Sequence, residues 1–149
     1  MQPLHFPSYE FRTRSAGGRD QIWDAWRRKW IALTPEEWVR QHLARYLCED
    51  RGYPSGRIVL EFNLSVHGLK RRADLVLFDA NGKPSLLAEC KAPDVALSES
   101  VVTQMARYNL TARVPWLIMT NGLMHYCARM HAESGNWEWV SAIPAFGEL

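Results

Sequence analysis

The 149-residue sequence predicts a single α/β domain with a mixed, mainly antiparallel sheet flanked by helices. Two observations carry this prediction. Helix signals and β-hairpin signals follow one another along the chain, and 47% hydrophobic with 23% charged residues is the balance of a soluble globular protein. We expect one domain over residues 1–149, in which residues 1–18 form an N-terminal tail or an added edge element.

The N-terminal third contains the strongest helix signal. Thr34 can cap a helix, Pro35 suits its first position, and Glu37 completes a capping box. The helix should pass through Leu47 and end before Gly52. Upstream, tryptophans three and four residues apart predict a short amphipathic helix over residues 20–31, with a paired strand as the alternative.

The central part of the sequence predicts an antiparallel meander. The strand over 57–64 should place Ile58, Leu60 and Phe62 on one face. A turn at His67-Gly68 leads to strands at 73–78 and 85–91, which are joined by a hairpin turn at Asn81-Gly82. The elements predicted after the meander are a helix over 97–111 and strands at 114–120, 123–129 and 137–143.

Charge and cysteine content exclude several functional classes. The three cysteines, Cys48, Cys90 and Cys127, form no CxxC pair, which argues against a disulfide framework or a zinc knuckle. No apolar run reaches the roughly 18 residues of a membrane span, so we expect a cytoplasmic protein without membrane partners. The net charge of +2 is too small to indicate nucleic-acid binding by itself, so such an interface would depend on a local stripe of basic residues. Each of these residues can also be interpreted as a solvated surface charge. The candidates are Arg40, Arg45, Arg51, Arg57, Lys70, Arg71, Arg72 and Lys91.

Three residues of the meander carry the chemistry. Glu89 and Lys91 are two apart on one strand and therefore share a face, whereas Ala88 and Cys90 should turn to the opposite, buried side. Asp74 lies on the preceding strand of the same hairpin. The neighbours of Glu89 make its strand nearly continuously apolar, so a buried charge there is costly unless it is paired or bound to an ion. Function is a plausible reason to bear that cost.

A hard cation supplies such a function. Mg²⁺, or Mn²⁺ in its place, binds a few carboxylate oxygens and keeps positions open for water and phosphate. Asp74 and Glu89 would be its side-chain ligands, and the backbone carbonyl of Cys90 a third. Lys91 would orient or deprotonate the attacking water, or stabilise charge on the phosphate.

The pattern Asp74…Glu89-x-Lys91 resembles the PD-(D/E)xK nuclease superfamily, with Ala73 where a proline often stands. Further segments are similar to the N-terminal domain of type I restriction enzyme R subunits. They are Thr34 to Gln41, Gly52-Tyr53-Pro54, the strand ending in Glu61, Arg72-Ala73-Asp74, Glu89 to Pro93, the Gln104-x-x-x-Tyr108 pair and Asn121-Gly122.

This resemblance implies a restriction-endonuclease-like fold and hydrolysis of DNA phosphodiester bonds. It adds Gln104 and Tyr108 to the active site, and it makes Glu37 an open candidate for the metal, against a plain capping role. A Walker phosphate-binding motif is absent, so the chain would correspond to the nuclease part alone. Partners would be DNA, with a second copy of the chain or restriction-modification subunits as candidates. The alternatives are a non-catalytic DNA-binding or assembly module with this fold, and a structure-specific or RNA nuclease of the same superfamily.

Overall fold

The computed structural model describes residues 1–66 and 68–149, so the predicted turn residue His67 lies outside the described residues. Its elements, in chain order, are β1 (Thr13–Ala16), β2 (Arg19–Asp24), β3 (Lys29–Ala32), α1 (Pro35–Glu49), β4 (Ile58–Val66), β5 (Leu69–Phe78), β6 (Pro84–Cys90), α2 (Glu99–Ala112), β7 (Trp116–Thr120), β8 (His125–Met130) and β9 (Trp137–Val140), with 3-10 turns at Ser55–Arg57 and Phe146–Glu148.

The main sheet confirms the predicted fold class. Its six strands run in the order β4-β5-β6-β7-β8-β9, and every neighbouring pair is antiparallel except β6 and β7. One apolar core lies between the sheet and α1, with Leu43 at its centre, and a second lies on the α2 side around Met105. Of the helices in the described residues, none is long and apolar enough to cross a membrane.

Helix α1 begins where the sequence predicts, but only half of the expected capping box forms. The Thr34 side chain accepts a hydrogen bond from the Glu37 amide at 3.1 Å. The Thr34 amide donates to the carbonyl of Ala32 rather than to the Glu37 carboxylate. The Glu37 carboxylate therefore takes no part in the cap and is available to the interior, where the residue is 6% exposed.

The helix predicted over residues 20–31 is wrong, because this segment is the β2–β3 hairpin. Trp23 pairs directly with Trp30, and with β1 the hairpin makes a separate three-stranded antiparallel sheet. The tryptophan spacing also fits a helix, but the rings of Trp23 and Trp30 pack against each other across the strands, an interaction that aromatic residues favour in sheets. Trp26 lies in the turn and packs against the core on the α1 side.

The prediction that Ile58, Leu60 and Phe62 share one face of the strand is also wrong, because Phe62 lies on the opposite face from the other two. Leu60 packs in the core on the α1 side, whereas Phe62 packs against the core on the α2 side. Between them Glu61 has φ +57°, a left-handed conformation that a strand rarely contains. At Glu61 the regular alternation of side chains between the two faces of β4 is interrupted. The same interruption occurs in the partner strand β5, because Ala73 and Leu75 are two residues apart but lie in different cores.

Candidate active site

Asp74 and Glu89 lie opposite each other where β5 and β6 separate. The last paired residues of the two strands are Leu75 and Ala88, and one further step along the same register brings Asp74 against Glu89. Both residues are only 8% exposed. Like charges facing each other across strands repel, so each carboxylate requires compensation from its surroundings.

Asp74 is compensated on both oxygens. Its Oδ1 accepts a hydrogen bond from Arg40 Nη2 at 2.6 Å, and its Oδ2 accepts from the Cys90 amide at 2.7 Å. The second bond continues the sheet ladder with a side chain in place of a backbone carbonyl. The carboxylate is thereby fixed between α1 and the end of β6.

Arg40 is the centre of a buried ion network, although it was expected in a surface stripe. It is 5% exposed, and besides Asp74 it binds Glu61 at 2.7 Å, Glu36 at 3.2 Å and, more closely, Glu37. Burial lowers the pKa of Arg40, but the charges of Asp74 and Glu37 raise it above its ordinary value, so the guanidinium is charged. The spacing of Glu36, Glu37 and Arg40 on one helix was a signal that could have identified the cluster.

The left-handed conformation of Glu61 serves the same network. Its second oxygen binds Arg72 Nε at 2.7 Å, so two arginines hold the carboxylate. A non-glycine residue with positive φ costs on the order of 1–3 kcal/mol and persists only where surrounding contacts impose it. Through Arg72 the carboxylate is tied to β5, and through Arg40 it joins the site.

Arg27 extends the network to the three-stranded sheet. In the turn between β2 and β3 it binds the fully buried Asp24 through Nε and Glu37 through Nη2, the latter at 2.5 Å. Gln41 donates a further bond to Glu37 at 2.9 Å. With all these donors, Glu37 is a structural acceptor in this arrangement, while its candidacy as a metal ligand stays a prediction.

Glu89 receives much weaker compensation than Asp74. The closest basic partner among the described residues is Arg71, whose Nη2 lies 3.6 Å from Glu89 Oε1. Burial, and then the charge of Asp74, raise the pKa of Glu89 to about 8, against smaller opposite effects from Arg71 and Lys91. A protonated Glu89 can also share its proton with Asp74 through a hydrogen bond.

The residues on either side of Glu89 follow the predicted alternation. Ala88 and Cys90 are fully buried in the core on the α1 side. Burial raises the pKa of the Cys90 thiol well above its ordinary value, so it is a protonated core residue. Lys91 lies one residue beyond β6, where its amide donates to the Thr120 carbonyl at 2.9 Å and its half-buried side chain acts electrostatically on Glu89.

The helix residues Gln104 and Tyr108 are placed differently. The Arg71 guanidinium stacks over the Tyr108 ring at 4.3 Å and connects this ring to Glu89. The Tyr108 hydroxyl is buried and has no hydrogen-bond partner in the described part of the chain. Gln104 is exposed, and none of the hydrogen bonds between described residues joins it to Asp74, Glu89 or Lys91.

The donor set suits a cation that remains largely hydrated. No group of three or more His, Cys, Asp and Glu side chains within residues 1–66 and 68–149 could hold a metal ion. Two adjacent carboxylates do occur, and each oxygen of Asp74 retains a lone pair beyond its present bond. Mg²⁺ is commonly bound by one or two carboxylates, water and substrate phosphate, so the pair fits this ion.

The chain matches the model of a protein family described as the type I restriction enzyme R protein N terminus, over residues 35–144. That range is more than half of the sequence. The chain belongs to this family. The match contains the opposed carboxylates and excludes the three-stranded sheet. None of the curated proteins matches the chain.

Two solved structures are similar to this family member. One is a fragment of a protein assigned as the HsdR subunit of a type I restriction enzyme from Vibrio vulnificus YJ016, at 19% identity and a TM-score of 0.52; the match covers 77% of this chain and 24% of that one. The other, assigned as a nuclease of the DUF820 group from Anabaena variabilis ATCC 29413, is 16% identical with a TM-score of 0.49, covering 97% of this chain and 88% of that chain. This chain therefore spans about a quarter of the HsdR structure, and the first likeness supports the fold.

Proposed function

We propose that this chain is a divalent-cation-dependent endonuclease that hydrolyses DNA phosphodiester bonds. The observation that carries the proposal is the opposition of two buried carboxylates, Asp74 and Glu89, beside the half-buried Lys91. One carboxylate is fully compensated and the other is not. Membership of a restriction-enzyme family supports DNA as the substrate and restriction-modification subunits as partners in the cytoplasm.

Mg²⁺ or Mn²⁺ would be held by Asp74 and Glu89, with the Cys90 carbonyl as a third ligand. When bound, the ion would supply Lewis-acid stabilisation of a phosphate and an acidified water. A dication next to Glu89 would favour the ionised carboxylate, and so oppose both causes of its raised pKa, burial first and then the charge of Asp74. The Arg40 network would keep Asp74 in place as a ligand.

The remaining residues would act on the substrate directly. Lys91 would orient the attacking water or stabilise the negative charge that develops on the phosphate. The Tyr108 hydroxyl is buried without a partner among the described residues, so it would contact a phosphate only after a side-chain movement on DNA binding. Arg71 stacks on the same ring and would bind the phosphate through its guanidinium. Gln104, four residues earlier on α2, would contact DNA from its exposed position.

The proposal is tested by cleavage assays on linear, nicked, branched and single-stranded DNA and on RNA, with Mg²⁺, with Mn²⁺ and with EDTA. We expect metal-dependent DNA cutting that falls at least about 100-fold in Lys91→Ala, the effect of removing one transition-state contact. Lys83→Ala is the matched control, because Lys83 is exposed in the β5–β6 turn.

Equal cutting by Lys91→Ala and wild type would remove Lys91 from the mechanism. Salt-dependent DNA binding without cleavage of any substrate would favour a non-catalytic binding or assembly module. Cutting confined to RNA or branched DNA would favour the other nucleases of the superfamily.

A further inference from the structure

The three-stranded sheet presents an outer face that carries arginines and tryptophans. Strand register places its members on one side, since Arg14 pairs with Gln21, Trp23 pairs with Trp30, and Arg12 accepts the Trp23 amide through its carbonyl. We call this surface the arginine–tryptophan face; it consists of Arg12, Arg14, Arg19, Gln21, Trp23 and Trp30.

The opposite side of the same sheet is turned to the protein interior. Ile22 and Asp24 alternate with the tryptophan side and are both 0% exposed. Arg12, Arg14 and Arg19 are all exposed. The arginine–tryptophan face is therefore the solvent side of the sheet, and the interior contacts of Asp24 fix its orientation.

The charge on this face has one sign. Among the paired residues of β1, β2 and β3 it holds arginines and no aspartate or glutamate; the acidic residues Asp20 and Asp24 point to the other side. In a protein whose net charge is only +2, this is a strong local concentration of positive charge. A polyanion is therefore the ligand that is electrostatically complementary to this face.

The arginines are held in place by the aromatic rings. The Arg14 guanidinium lies 4.3 Å from the Trp30 ring, and Arg12 lies 5.1 Å from Trp23 and 5.5 Å from Trp30. Arg14 Nε also donates to Gln21 Oε1 at 2.8 Å, which leaves its terminal amino groups to face outward. Guanidinium groups held in this way lose less side-chain entropy on binding, which suits contact with phosphate. The arginines also cover the rings, so the rings are not open platforms for stacking of single-stranded bases.

The small sheet is linked to the candidate active site through its β2–β3 turn. Trp23 and Trp30 border the turn that contains Arg27, and Arg27 binds Glu37, which binds Arg40 beside Asp74. Starting from the Trp23–Trp30 pair, the face extends along the strands away from this turn, through Arg14 to Arg19. It lies wholly outside residues 35–144, the range that the family model matches.

We propose that the arginine–tryptophan face binds the backbone phosphates of duplex DNA next to the site of cleavage. The identity of the duplex as substrate rests on the proposed function, but binding at this face does not require cleavage. Phosphate contacts carry no sequence information, so the face contributes affinity and orientation.

The test is the affinity of a fluorescein-labelled 30-base-pair duplex, measured by anisotropy in EDTA across a range of NaCl concentrations. The variant replaces Arg12, Arg14 and Arg19 together by glutamine; all three are exposed, and circular dichroism with thermal melting verifies folding. We expect affinity to fall at least about tenfold and the slope of log K against log[salt] to decrease by roughly 2–3, about 0.9 for each phosphate that the variant no longer neutralises.

The matched control also removes three exposed positive charges, by replacing Lys83, Arg113 and Arg129 with glutamine. Lys83 is in the β5–β6 turn, and Arg129 pairs with the first residue of β7, away from the Glu89 end of the sheet. A decrease in affinity confined to the face variant supports the proposal. Equal decreases in both variants, or no decrease in either, overturn it.

Two further arms separate this inference from the proposed function. Preferential loss of single-stranded DNA or RNA binding, or binding of phosphatidylserine vesicles in place of DNA, would overturn duplex DNA as the partner. The variant of Arg12, Arg14 and Arg19 is therefore assayed for duplex binding in EDTA, where no metal-dependent cleavage occurs, and separately for cleavage in Mg²⁺. A protein that cuts nothing but loses duplex affinity in the face variant would refute the nuclease and retain the DNA-binding face.

Discussion

Asp74 and Glu89 are equally buried, yet the α1 side and the α2 side of the site treat them differently. On the α1 side, Arg40 and the Cys90 amide bind both oxygens of Asp74 at 2.6 and 2.7 Å. On the α2 side, Arg71 reaches Glu89 only at 3.6 Å, and the pKa of Glu89 is raised to about 8. The fold therefore supplies a permanent counter-charge to one carboxylate and withholds it from the other.

If the pair binds a cation as proposed, this difference divides the work between the two carboxylates. A carboxylate that is already paired has a fixed position, and its charge is largely compensated by its partners. A neighbouring carboxylate without such partners gains more electrostatic stabilisation when a dication binds. The Arg40 network would provide geometry, and Glu89 would provide the driving force for binding. Changes on each side should consequently have opposite effects on the stability of the metal-free protein.

The largest effect is expected from Arg40→Met. Removing the guanidinium leaves the buried Asp74 and Glu37 and the partly buried Glu61 without their common partner, so the free energy of unfolding should fall by about 3–5 kcal/mol. Urea denaturation followed by circular dichroism measures this change.

Arg45→Met is the control, because Arg45 lies on the same helix but pairs with the half-exposed Glu49. Its cost should be only about 0–1 kcal/mol. If the two variants lose similar stability, the buried network does not hold the α1 side of the site.

An intermediate effect is expected from Glu89→Gln. Because the pKa of Glu89 is higher in the folded protein (about 8) than its ordinary value of 4.5, the folded state binds more protons. Wild-type stability should therefore fall as pH rises through this window, and the amide should remove that loss, which should reach about 2 kcal/mol by pH 6 in EDTA, at roughly 1.4 kcal/mol per pH unit above 4.5.

Thermal melts from pH 5 to 9 test this expectation, with Glu133→Gln as an exposed control. Added Mg²⁺ should raise the Tm of wild type and of the control, but not that of Glu89→Gln. Parallel pH curves for wild type and Glu89→Gln would show that Glu89 is adequately compensated without a cation.

The smallest change in stability is expected from Tyr108→Phe. The hydroxyl is buried without a hydrogen-bond partner among the described residues, so its removal should alter the free energy of unfolding by no more than about 1 kcal/mol, in the stabilising direction. Cleavage should nevertheless decrease if this hydroxyl contacts the substrate. Calorimetry and the cleavage assay check the two parts, and a marked destabilisation would show that the hydroxyl has a structural partner.

The local pattern of the sequence was sufficient for much of this architecture. Thr34 and Pro35 predicted the start of α1, Asn81-Gly82 predicted the β5–β6 hairpin, and strand alternation predicted the buried positions of Ala88 and Cys90. The same local logic failed for the β2–β3 hairpin, because tryptophan spacing fits a helix and a hairpin equally well until the cross-strand partner is known.

For the site, the sequence by itself determined which residue types were available and that Glu89 alternates with two core residues. Only the tertiary structure decided that Arg40 is buried, that Glu61 adopts a left-handed conformation to reach it, and that the arginines before and within the small sheet share one exposed face. The physical reason is that charge compensation depends on distances between residues that are remote in sequence. Periodicity along the chain reports which side of an element a residue occupies, but not which charge it meets there.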